Sequence, residues 1–282
     1  MDRDEALIEL EGIEFRYAGG ADLFRGLSLS VRRGDRLGVV GANGSGKTTL
    51  FHIIMGLLAP VSGELWAFGR PVRSEPDRAF VRRHVGFLFQ HSDDQLFCPT
   101  VQEDVAFGPL NLGLSQAEAR DVVRKILSGL HLSDYAERIT YRLSGGEKRL
   151  IALATALAME PEVLLLDEPA SGLDPRGRRR LTSVLKEIGR TQVISSHDME
   201  FVRATCDRVV VLDGGAVVAD GPTDTVLGDA KRMLASGLEP PYSLQTRSEA
   251  VPSDHHHGAG PSHGHGHDAA HSVGEHAASE EA

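Results

Sequence analysis

The sequence predicts an α/β fold built around a parallel sheet, with a core of the nucleotide-binding type. From Arg36 onward, helix-prone segments alternate with short apolar runs: "RLGVVG", "HVGFLFQ", "VLLLDE", "QVISS" and "RVVVL". Strands that are covered on both faces read as continuous Val, Ile and Leu runs, so these segments indicate buried parallel strands. A glycine-rich stretch follows the first run and two acidic residues end the third. Open α/β sheets bind ligands at that carboxyl edge.

Three other segments extend this core. Alternating apolar positions from Leu7 to Val31 predict antiparallel strands. Residues 101–142 are polar and helix-prone with little strand signal, which indicates a helical insertion. The stretch "VVVLDGGAVVADG" predicts a terminal hairpin, with Asp213-Gly214-Gly215 as its turn.

The composition also suggests where the domains end. After about Gly237 the residues are mostly Pro, Ser, Gly, Ala, His and acidic, which cannot bury enough apolar area to offset the cost of ordering the chain. We therefore expect a nucleotide-binding domain over residues 1–235, with a helical subdomain at about 91–160. A disordered, histidine-rich tail is expected over 236–282.

Charge and cysteine content exclude several classes of function. The 282 residues carry a formal net charge of −10 at pH 7, which argues against a nucleic-acid partner, because neutralising phosphates needs a basic face. Cys98 and Cys206 have no CxxC spacing, so a reducing compartment is expected. The N-terminus lacks a leader pattern, and no apolar run approaches the ~18 residues of a membrane helix. If the protein works at a membrane, we expect another chain to span it.

The stretch "GANGSGKT", residues 41–48, predicts a phosphate-binding loop. It matches the pattern GxxxxGK[ST], follows the strand "RLGVV" and opens a helix, which is the context that the motif requires. Glycines let backbone N–H groups converge on phosphate oxygens, and the helix N-terminus favours an anion. Lys47 is expected to neutralise the β- and γ-phosphates, and Thr48 to place its hydroxyl on Mg²⁺.

The stretch "VLLLDEP" predicts the second half of this site. Four apolar residues place Asp167 and Glu168 at the exposed carboxyl end of a buried strand. Asp167 can hold Mg²⁺ through water, and Glu168 can orient and deprotonate a water that attacks the γ-phosphate. Together the two motifs predict a nucleoside triphosphatase.

Further motifs give the chain a resemblance to a known family. "LSGGE" at Leu143–Glu147, about twenty residues before Asp167, resembles the signature motif of ABC-transporter ATPases. Gln90 resembles the Q-loop, "SGLD" at Ser171–Asp174 the D-loop, His197 the switch histidine, and Tyr17 the aromatic residue that stacks on adenine. Taken singly, these residues also fit a helix N-cap, a strand-end amide, a core histidine and a half-buried strand aromatic. The motifs follow the family's order over residues 6–235.

The resemblance implies the roles of the site residues. The catalytic residues would be Glu168, His197 and Lys47. ATP would be bound by Tyr17, Gly41, Ala42, Asn43, Gly44, Ser45, Gly46, Lys47, Thr48, Thr49 and Gln90, with Mg²⁺ held through Thr48, Gln90 and Asp167. In this family two protomers, here most simply identical, sandwich two ATP molecules. The residues that meet the partner's ATP would be the signature residues Ser144, Gly145, Gly146 and Glu147, with Asp174 in the D-loop. Glu147 stands where many relatives have Gln.

The segment Gln90–Ser115 resembles energy-coupling-factor importers, in which "DDQLF" and "EDVAFGP" are typical. The resemblance implies a peripheral protein at the cytoplasmic face of the cell membrane. Its partners would be a transmembrane coupling protein and a substrate-binding membrane subunit, with Phe97 and Phe107 as candidates for apolar contact. The same pattern is similar to the branch that imports cobalt and nickel. A vitamin importer of the same type would have an ATPase subunit with the same motifs, so it stays open as an alternative.

The tail contains a cluster of imidazoles with irregular spacing. Neutral imidazole suits Ni²⁺, Co²⁺ and Zn²⁺, and the candidate ligands are His255, His256, His257, His263, His265 and His267. A solvating tail without a ligand role is the alternative. Two other functions stay open: a soluble ABC ATPase, which would normally carry two cassettes and a basic linker, and a metal-storage protein that depends on the histidines alone.

Overall fold

Two β-sheets and ten α-helices form residues 6–245, the part of the chain that this computed structural model describes. The strands are β1 (Ala6–Arg16), β2 (Asp22–Arg32), β3 (Arg36–Val40), β4 (Ser62–Ala67), β5 (Arg70–Pro71), β6 (Val85–Leu88), β7 (Val163–Asp167), β8 (Thr191–Ser195), β9 (Arg208–Asp213) and β10 (Ala216–Pro222). The helices are α1 (Lys47–Ile54), α2 (Glu75–His84), α3 (Val101–Asn111), α4 (Gln116–Gly129), α5 (Gly145–Ala158), α6 (Pro175–Glu187), α7 (Met199–Thr205), α8 (Thr223–Gly228), α9 (Ala230–Ala235) and α10 (Tyr242–Gln245).

The larger sheet has the strand order β10-β9-β3-β8-β7-β6. Neighbouring strands from β9 to β6 run parallel, and β10 pairs antiparallel with β9. Every residue of β7 and β8 is buried, because helices pack on one face of the sheet and α1 with the smaller sheet packs on the other. This architecture confirms the predicted α/β class.

Successive residues of β7 divide between two apolar clusters. Leu164 and Leu166 belong to one cluster, and Val163 and Leu165 to the other, since alternate side chains of a strand point to opposite faces. The first cluster also contains apolar side chains of α3, α4 and α5. The helices of the predicted insertion therefore share the core of the parallel sheet.

The smaller sheet is antiparallel and has the order β2-β1-β4-β5. The sequence predicts β1 and β2, but β4, β5 and the following α2 were not anticipated. Only two of the six residues of β4 are fully buried, and its first three are exposed. Its sequence therefore lacks the apolar alternation that indicates a half-buried strand.

The C-terminal part begins with the predicted hairpin. Gly214 and Gly215 connect β9 to β10, and both have positive φ (55° and 85°), as a tight hairpin turn requires. The described structure then continues beyond the boundary expected at residue 235. Leu238 is buried and Leu244 packs against the same cluster as the insertion helices. The rest of the expected tail, including the candidate histidines, lies outside the described residues.

Within residues 6–245, no helix combines the length and the apolar character that crossing a bilayer requires.

Candidate functional site

The loop between β3 and α1 depends on two of its glycines. A Cβ atom at Gly41 would lie 2.4 Å from the Ser45 hydroxyl and 2.6 Å from the Leu212 carbonyl oxygen. Gly46 has φ 101°, and a Cβ atom there would lie 2.6 Å from the Phe24 ring. Both positions require glycine, because any larger residue would collide with its surroundings. The packing of the neighbouring strands thus determines the shape of the loop.

No side chain among residues 6–245 caps the N-terminus of α1. Gly46 is its N-cap residue, no side chain caps the first turn, and that turn contains no acidic residue. The buried Ser45 hydroxyl also has no hydrogen-bond partner among the described residues. Buried polar groups normally have partners, and free N–H groups at a helix N-terminus favour an anion. This end of α1 fits a phosphate group. Ala42, Asn43 and Gly44 form the exposed part of the loop.

Lys47 brings a buried cation to this end of the helix. Its Nζ atom donates to the carbonyl oxygens of Gly41 (2.8 Å) and Ala42 (3.2 Å). Burial lowers the pKa of Lys47, while the nearby carboxylates of Glu168 and Asp167 act in the opposite direction. An ammonium group that is desolvated at the start of a helix suits a polyphosphate chain.

Four predicted side chains meet at the carboxyl end of β7. Asp167 and Glu168 are 1% and 7% exposed. The Thr48 hydroxyl donates to Asp167 Oδ2 at 2.7 Å, and His197 Nδ1 lies 2.9 Å from Glu168 Oε2. Glu168 has φ 45°, a left-handed conformation that is rare for a residue with a side chain. A buried carboxylate that contacts an imidazole can accept a proton from water.

The donor set fits Mg²⁺ that is shared with a nucleotide. Hydroxyl and carboxylate oxygens, here from Thr48 and Asp167, are the ligands that Mg²⁺ prefers. Within residues 6–245, no group of three or more His, Cys, Asp or Glu side chains could hold a metal ion. Mg²⁺ in phosphoryl transfer usually takes one or two protein ligands together with substrate phosphates and water, and the pair Thr48 and Asp167 fits that pattern.

Tyr17 lies beside the first turn of α1. Its hydroxyl is 2.8 Å from Thr49 Oγ1, and its ring packs edge-on against Phe15 with centroids 5.0 Å apart. The Tyr17 side chain remains 49% exposed. An exposed aromatic surface next to a phosphate-binding loop can stack on a base.

Gln90 is exposed just after β6, and its backbone is held by a residue that the sequence analysis did not identify. Arg149 of α5 is buried and donates to the carbonyl oxygens of Phe89 (2.8 Å) and Gln90 (2.7 Å). Gln95 donates to Thr155 of the same helix at 2.8 Å. Burial lowers the pKa of Arg149. The segment after β6 is thus tied to the helix that begins with the signature motif.

The signature motif forms the N-terminus of α5. Ser144 is the N-cap residue, and its N–H and hydroxyl groups both donate to Glu147 Oε2 at 2.8 Å. The other carboxylate oxygen of Glu147 accepts from Tyr135 and Arg138. These hydrogen bonds, first of all the one from the Ser144 backbone, lower the pKa of Glu147. The side chains of Ser144 and Glu147 therefore bond within the helical region, with Gly145 and Gly146 between them.

Asp174 begins another helix in the same way. It is the N-cap residue of α6 and accepts a hydrogen bond from the Gly177 N–H at 2.7 Å. The contacts around β7 thus involve Thr48, Asp167, Glu168 and His197, whereas Asp174 bonds at the start of its own helix and the signature residues bond within the helical region.

Comparison with known proteins identifies the family. The family model described as ABC transporter matches residues 24–171, more than half of the chain. A protein of Nitratidesulfovibrio vulgaris, described as an ABC transporter ATP-binding protein, is 51% identical over 221 residues, covering 78% of this chain and 81% of that protein. The cobalt import ATP-binding protein CbiO of Rhodobacter capsulatus is 45% identical over 242 residues, covering 84% of this chain and 86% of that protein.

Two solved structures are similar over most of the described fold. The structure of cbiO1 from Clostridium perfringens, part of the ABC transporter complex cbiONQ, has a TM-score of 0.75 and 32% identity and covers 86% of this chain and 99% of its own. The dimeric, post-hydrolysis structure of the ATP-binding cassette MJ0796, bound to ADP and Pi, has a TM-score of 0.68 and 26% identity, with 77% and 98% coverage. The chain therefore belongs to the ABC transporter family and is an ATP-hydrolysing ATPase of that family.

Proposed function

We propose that this chain is the ATPase subunit of an energy-coupling-factor importer for cobalt or nickel, and that it works as an ATP-bound dimer at the cytoplasmic face of the membrane. The observation that carries the ATPase mechanism is the contact of Thr48, Asp167, Glu168 and His197 at one sheet edge, beside the uncapped end of α1. The cargo is supported by the 45% identity to a cobalt import protein.

Each residue of the site has a role in this proposal. Lys47 and the N–H groups at the start of α1 bind the β- and γ-phosphates, while Tyr17 stacks on the adenine. Thr48, Gln90 and Asp167 would hold Mg²⁺, which would supply positive charge to neutralise the phosphates. Glu168 orients the attacking water and accepts its proton as the new P–O bond forms and the bond to the leaving ADP oxygen breaks. His197 holds the Glu168 carboxylate in place.

The signature helix acts on the nucleotide of a second copy. Ser144, Gly145 and Gly146 offer the N-terminus of α5 to the partner's γ-phosphate, and Asp174 lies close to the same contact in the D-loop. Loss of the γ-phosphate removes a group that both copies hold, so the affinity of the closed dimer falls after hydrolysis. The dimeric structure of the similar cassette MJ0796 supports this arrangement.

Glu168→Gln tests the mechanism and the dimer together. The amide cannot accept the proton from water, so we expect turnover to fall by about 10³-fold, while ATP binding persists. Size-exclusion chromatography with ATP and Mg²⁺ should then show a stable dimer. Glu187→Gln, on an exposed part of α6, serves as the control and should behave like the unmodified chain. Normal turnover, or a monomer under these conditions, would contradict the mechanism.

An apolar surface in the helical region supports docking to a transmembrane coupling protein. Phe97 and Phe107 contact each other with ring centroids 4.8 Å apart, and they are 64% and 46% exposed. Phe107 also lines a groove of about 840 Å³ against α4. Phe97→Asp should reduce recruitment to membranes that contain the coupling protein. Leu234→Asp changes an equally exposed residue (64%) on α9 and should not, and equal recruitment of both variants would reject this surface.

The cargo and the tail need separate experiments. Deletion of the transporter should lower cellular cobalt or nickel without creating a demand for biotin, thiamine or folate. Deletion of a vitamin importer would create such a demand.

We propose that the tail binds Ni²⁺, Co²⁺ or Zn²⁺ through His255, His256, His257, His263, His265 and His267. Calorimetry of the full chain against a chain that ends at residue 249 should detect this binding. If deletion of the tail abolished uptake while Lys47→Ala did not, a metal-storage role would replace the ATPase in this proposal.

A further inference from the structure

Ser195 joins the two acidic residues of the site, although the sequence analysis did not identify it. It is the last residue of β8, lies opposite Asp167 in the parallel register, and is completely buried. Its hydroxyl donates to Asp167 Oδ1 at 2.5 Å, and the Glu168 N–H donates to the same hydroxyl at 3.0 Å. A single oxygen atom thus contacts both residues that the mechanism uses at the end of β7.

Chemistry determines the direction of these two hydrogen bonds. An ionised carboxylate can only accept, so the Ser195 hydroxyl proton must point to Asp167. A backbone N–H can only donate, so the lone pair of the same oxygen faces Glu168. The bond to the carboxylate is charge-assisted and short, as is typical of a hydroxyl that donates to an anion.

The contact separates the two oxygens of the Asp167 carboxylate. Oδ1 is held by Ser195 inside the sheet, which leaves Oδ2 on the side of Thr48, 2.7 Å from that hydroxyl. Without Ser195 the carboxylate could turn about its last torsion, which is broad for Asp. The oxygen that faces the phosphate-binding loop would then no longer be defined.

The same contact holds the backbone of Glu168. That residue has φ 45°, in the left-handed region, and such a conformation persists only where the surroundings impose it. Its N–H contacts both the hydroxyl and, at 3.2 Å, the carbonyl oxygen of Ser195. The next residues of the chain, Ser196 and His197, reach the Glu168 carboxylate itself.

We propose that Ser195 is a positioning residue for ATP hydrolysis: its hydroxyl directs Asp167 Oδ2 towards the metal and fixes the backbone from which the Glu168 carboxylate projects. This inference rests on the metal-binding and catalytic roles proposed for Asp167 and Glu168. Ser195 is completely buried and acts through these two residues.

The test measures metal binding without turnover, using Mn²⁺ and a non-hydrolysable ATP analogue on the full chain. Electron paramagnetic resonance titration should show Mn²⁺ binding about 10-fold weaker in Ser195→Ala, because a hydrogen bond to a charged group is lost. In steady-state assays with ATP, kcat should fall about 10- to 100-fold while KM changes less than about 3-fold, since the loop and Lys47 are intact.

Two further variants separate hydrogen bonding from packing. Ser195→Cys fills the site with a somewhat larger side chain that is a poor donor, so it should behave like Ser195→Ala. Ser195→Thr keeps the hydroxyl and should recover most of both losses. A Ser195→Cys chain that matches the unmodified protein would mean that only packing matters, and would overturn the proposal. So would a Ser195→Ala chain with unchanged Mn²⁺ affinity and kcat.

Control variants distinguish an error in the role of Ser195 from an error in the proposed mechanism. Thr205→Ala removes another buried hydroxyl, which bonds only within and next to α7, and it should leave Mn²⁺ affinity unchanged. Asp167→Asn should weaken Mn²⁺ binding more than any Ser195 variant. If Asp167→Asn has no effect, the metal-binding role of Asp167 is wrong. If it weakens binding while every Ser195 variant behaves normally, only the role of Ser195 is wrong.

Discussion

Helices α1 and α5 both begin in glycine-rich stretches, but their N-termini are completed in opposite ways. At α1 the N-cap is Gly46, and no capping side chain from the described part of the chain accepts a hydrogen bond from the first turn. At α5 a capping box between Ser144 and Glu147 satisfies the first turn from within the chain. The N-terminus of α1 is left open for an anion. The N-terminus of α5 already has its N–H groups satisfied, so a ligand would have to compete with the capping side chains.

Other helices indicate which of the two is the exception. Capping side chains begin α2, α4, α6 and α7 as well. Among the described helices, the short α8 also starts without a capping side chain, but the bare start of α1 differs from the side-chain-capped start that most of the longer helices share. A departure of this kind destabilises the folded protein slightly, and it is expected where a ligand completes the structure.

The largest effect is expected from removing the Lys47 cation at the uncapped N-terminus of α1. Lys47→Ala removes the buried ammonium that faces the phosphates, so we expect kcat/KM for ATP to fall by about 10³-fold. Phosphate release at several ATP concentrations measures this. Lys231→Ala, on the exposed side of α9, is the control. A loss of less than about 10-fold would mean that the open helix end alone binds the phosphates.

A second prediction concerns the backbone at the start of α1. Gly46→Ala should lower the free energy of unfolding by about 2–4 kcal/mol, because the new Cβ is strained at φ 101° and meets the Phe24 ring. Gly44→Ala is the matched control, with φ 82° but nothing within 4 Å of the added atom. It should cost only about 1 kcal/mol. Urea unfolding measures both, and equal losses would show that the contact with Phe24 does not matter.

The third prediction uses two identical capping boxes to separate stability from function. Ser144 with Glu147 begins α5, and Ser115 with Glu118 begins α4. Ser144→Ala and Ser115→Ala should each lower the free energy of unfolding by about 1 kcal/mol. Only Ser144→Ala should also reduce ATP-dependent dimerisation, by about 10-fold. If both reduce dimerisation equally, the effect comes from the helical region as a whole and not from the signature motif.

The smallest expected effect is a pH dependence of stability that arises from Glu147 at the capped N-terminus of α5. The pKa of Glu147 is lowered in the folded chain. Its carboxylate therefore stabilises the fold at pH values above the pKa of unfolded Glu, about 4.3. That contribution is lost as the pH falls through the folded pKa. The difference in unfolding free energy between the unmodified chain and Glu147→Gln, about 0.5–1 kcal/mol at pH 7, should therefore shrink as the pH falls below about 4. A difference that is independent of pH would exclude the carboxylate as its source.

The local parts of the site could be predicted from the sequence. The loop that contains Lys47 and the strand that ends at Asp167 are each specified by a few consecutive residues, and the parallel sheet brings their carboxyl ends to one edge. The α/β class could be predicted for the same reason, because strands that are buried on both faces are continuous apolar runs. Periodicity and motif spacing carry this information without any knowledge of long-range contacts.

The contacts between distant segments could not be predicted in this way. Ser195, Arg149 and Tyr135 act on residues that lie 12 to 60 positions away along the chain, and nothing in their immediate sequence marks them. The pairing of β4 with β1 was missed because so little of β4 is buried. Leu238 was assigned to the tail from composition, although a single apolar residue in a polar stretch is enough to pack on a core.

The apolar cluster on one face of the parallel sheet has a consequence for how this architecture can be rearranged. It runs without a break from α3, α4 and α5 across the strands to α8 and α9, so a graft of the helical segment from another protein would replace half of a shared interior. Chimeras in which this helical segment is exchanged should fold poorly unless the apolar side chains at its contact with the sheet are redesigned as well. Retargeting by design is better served by changing a few solvent-facing side chains on α3 and α4 than by transplanting the segment.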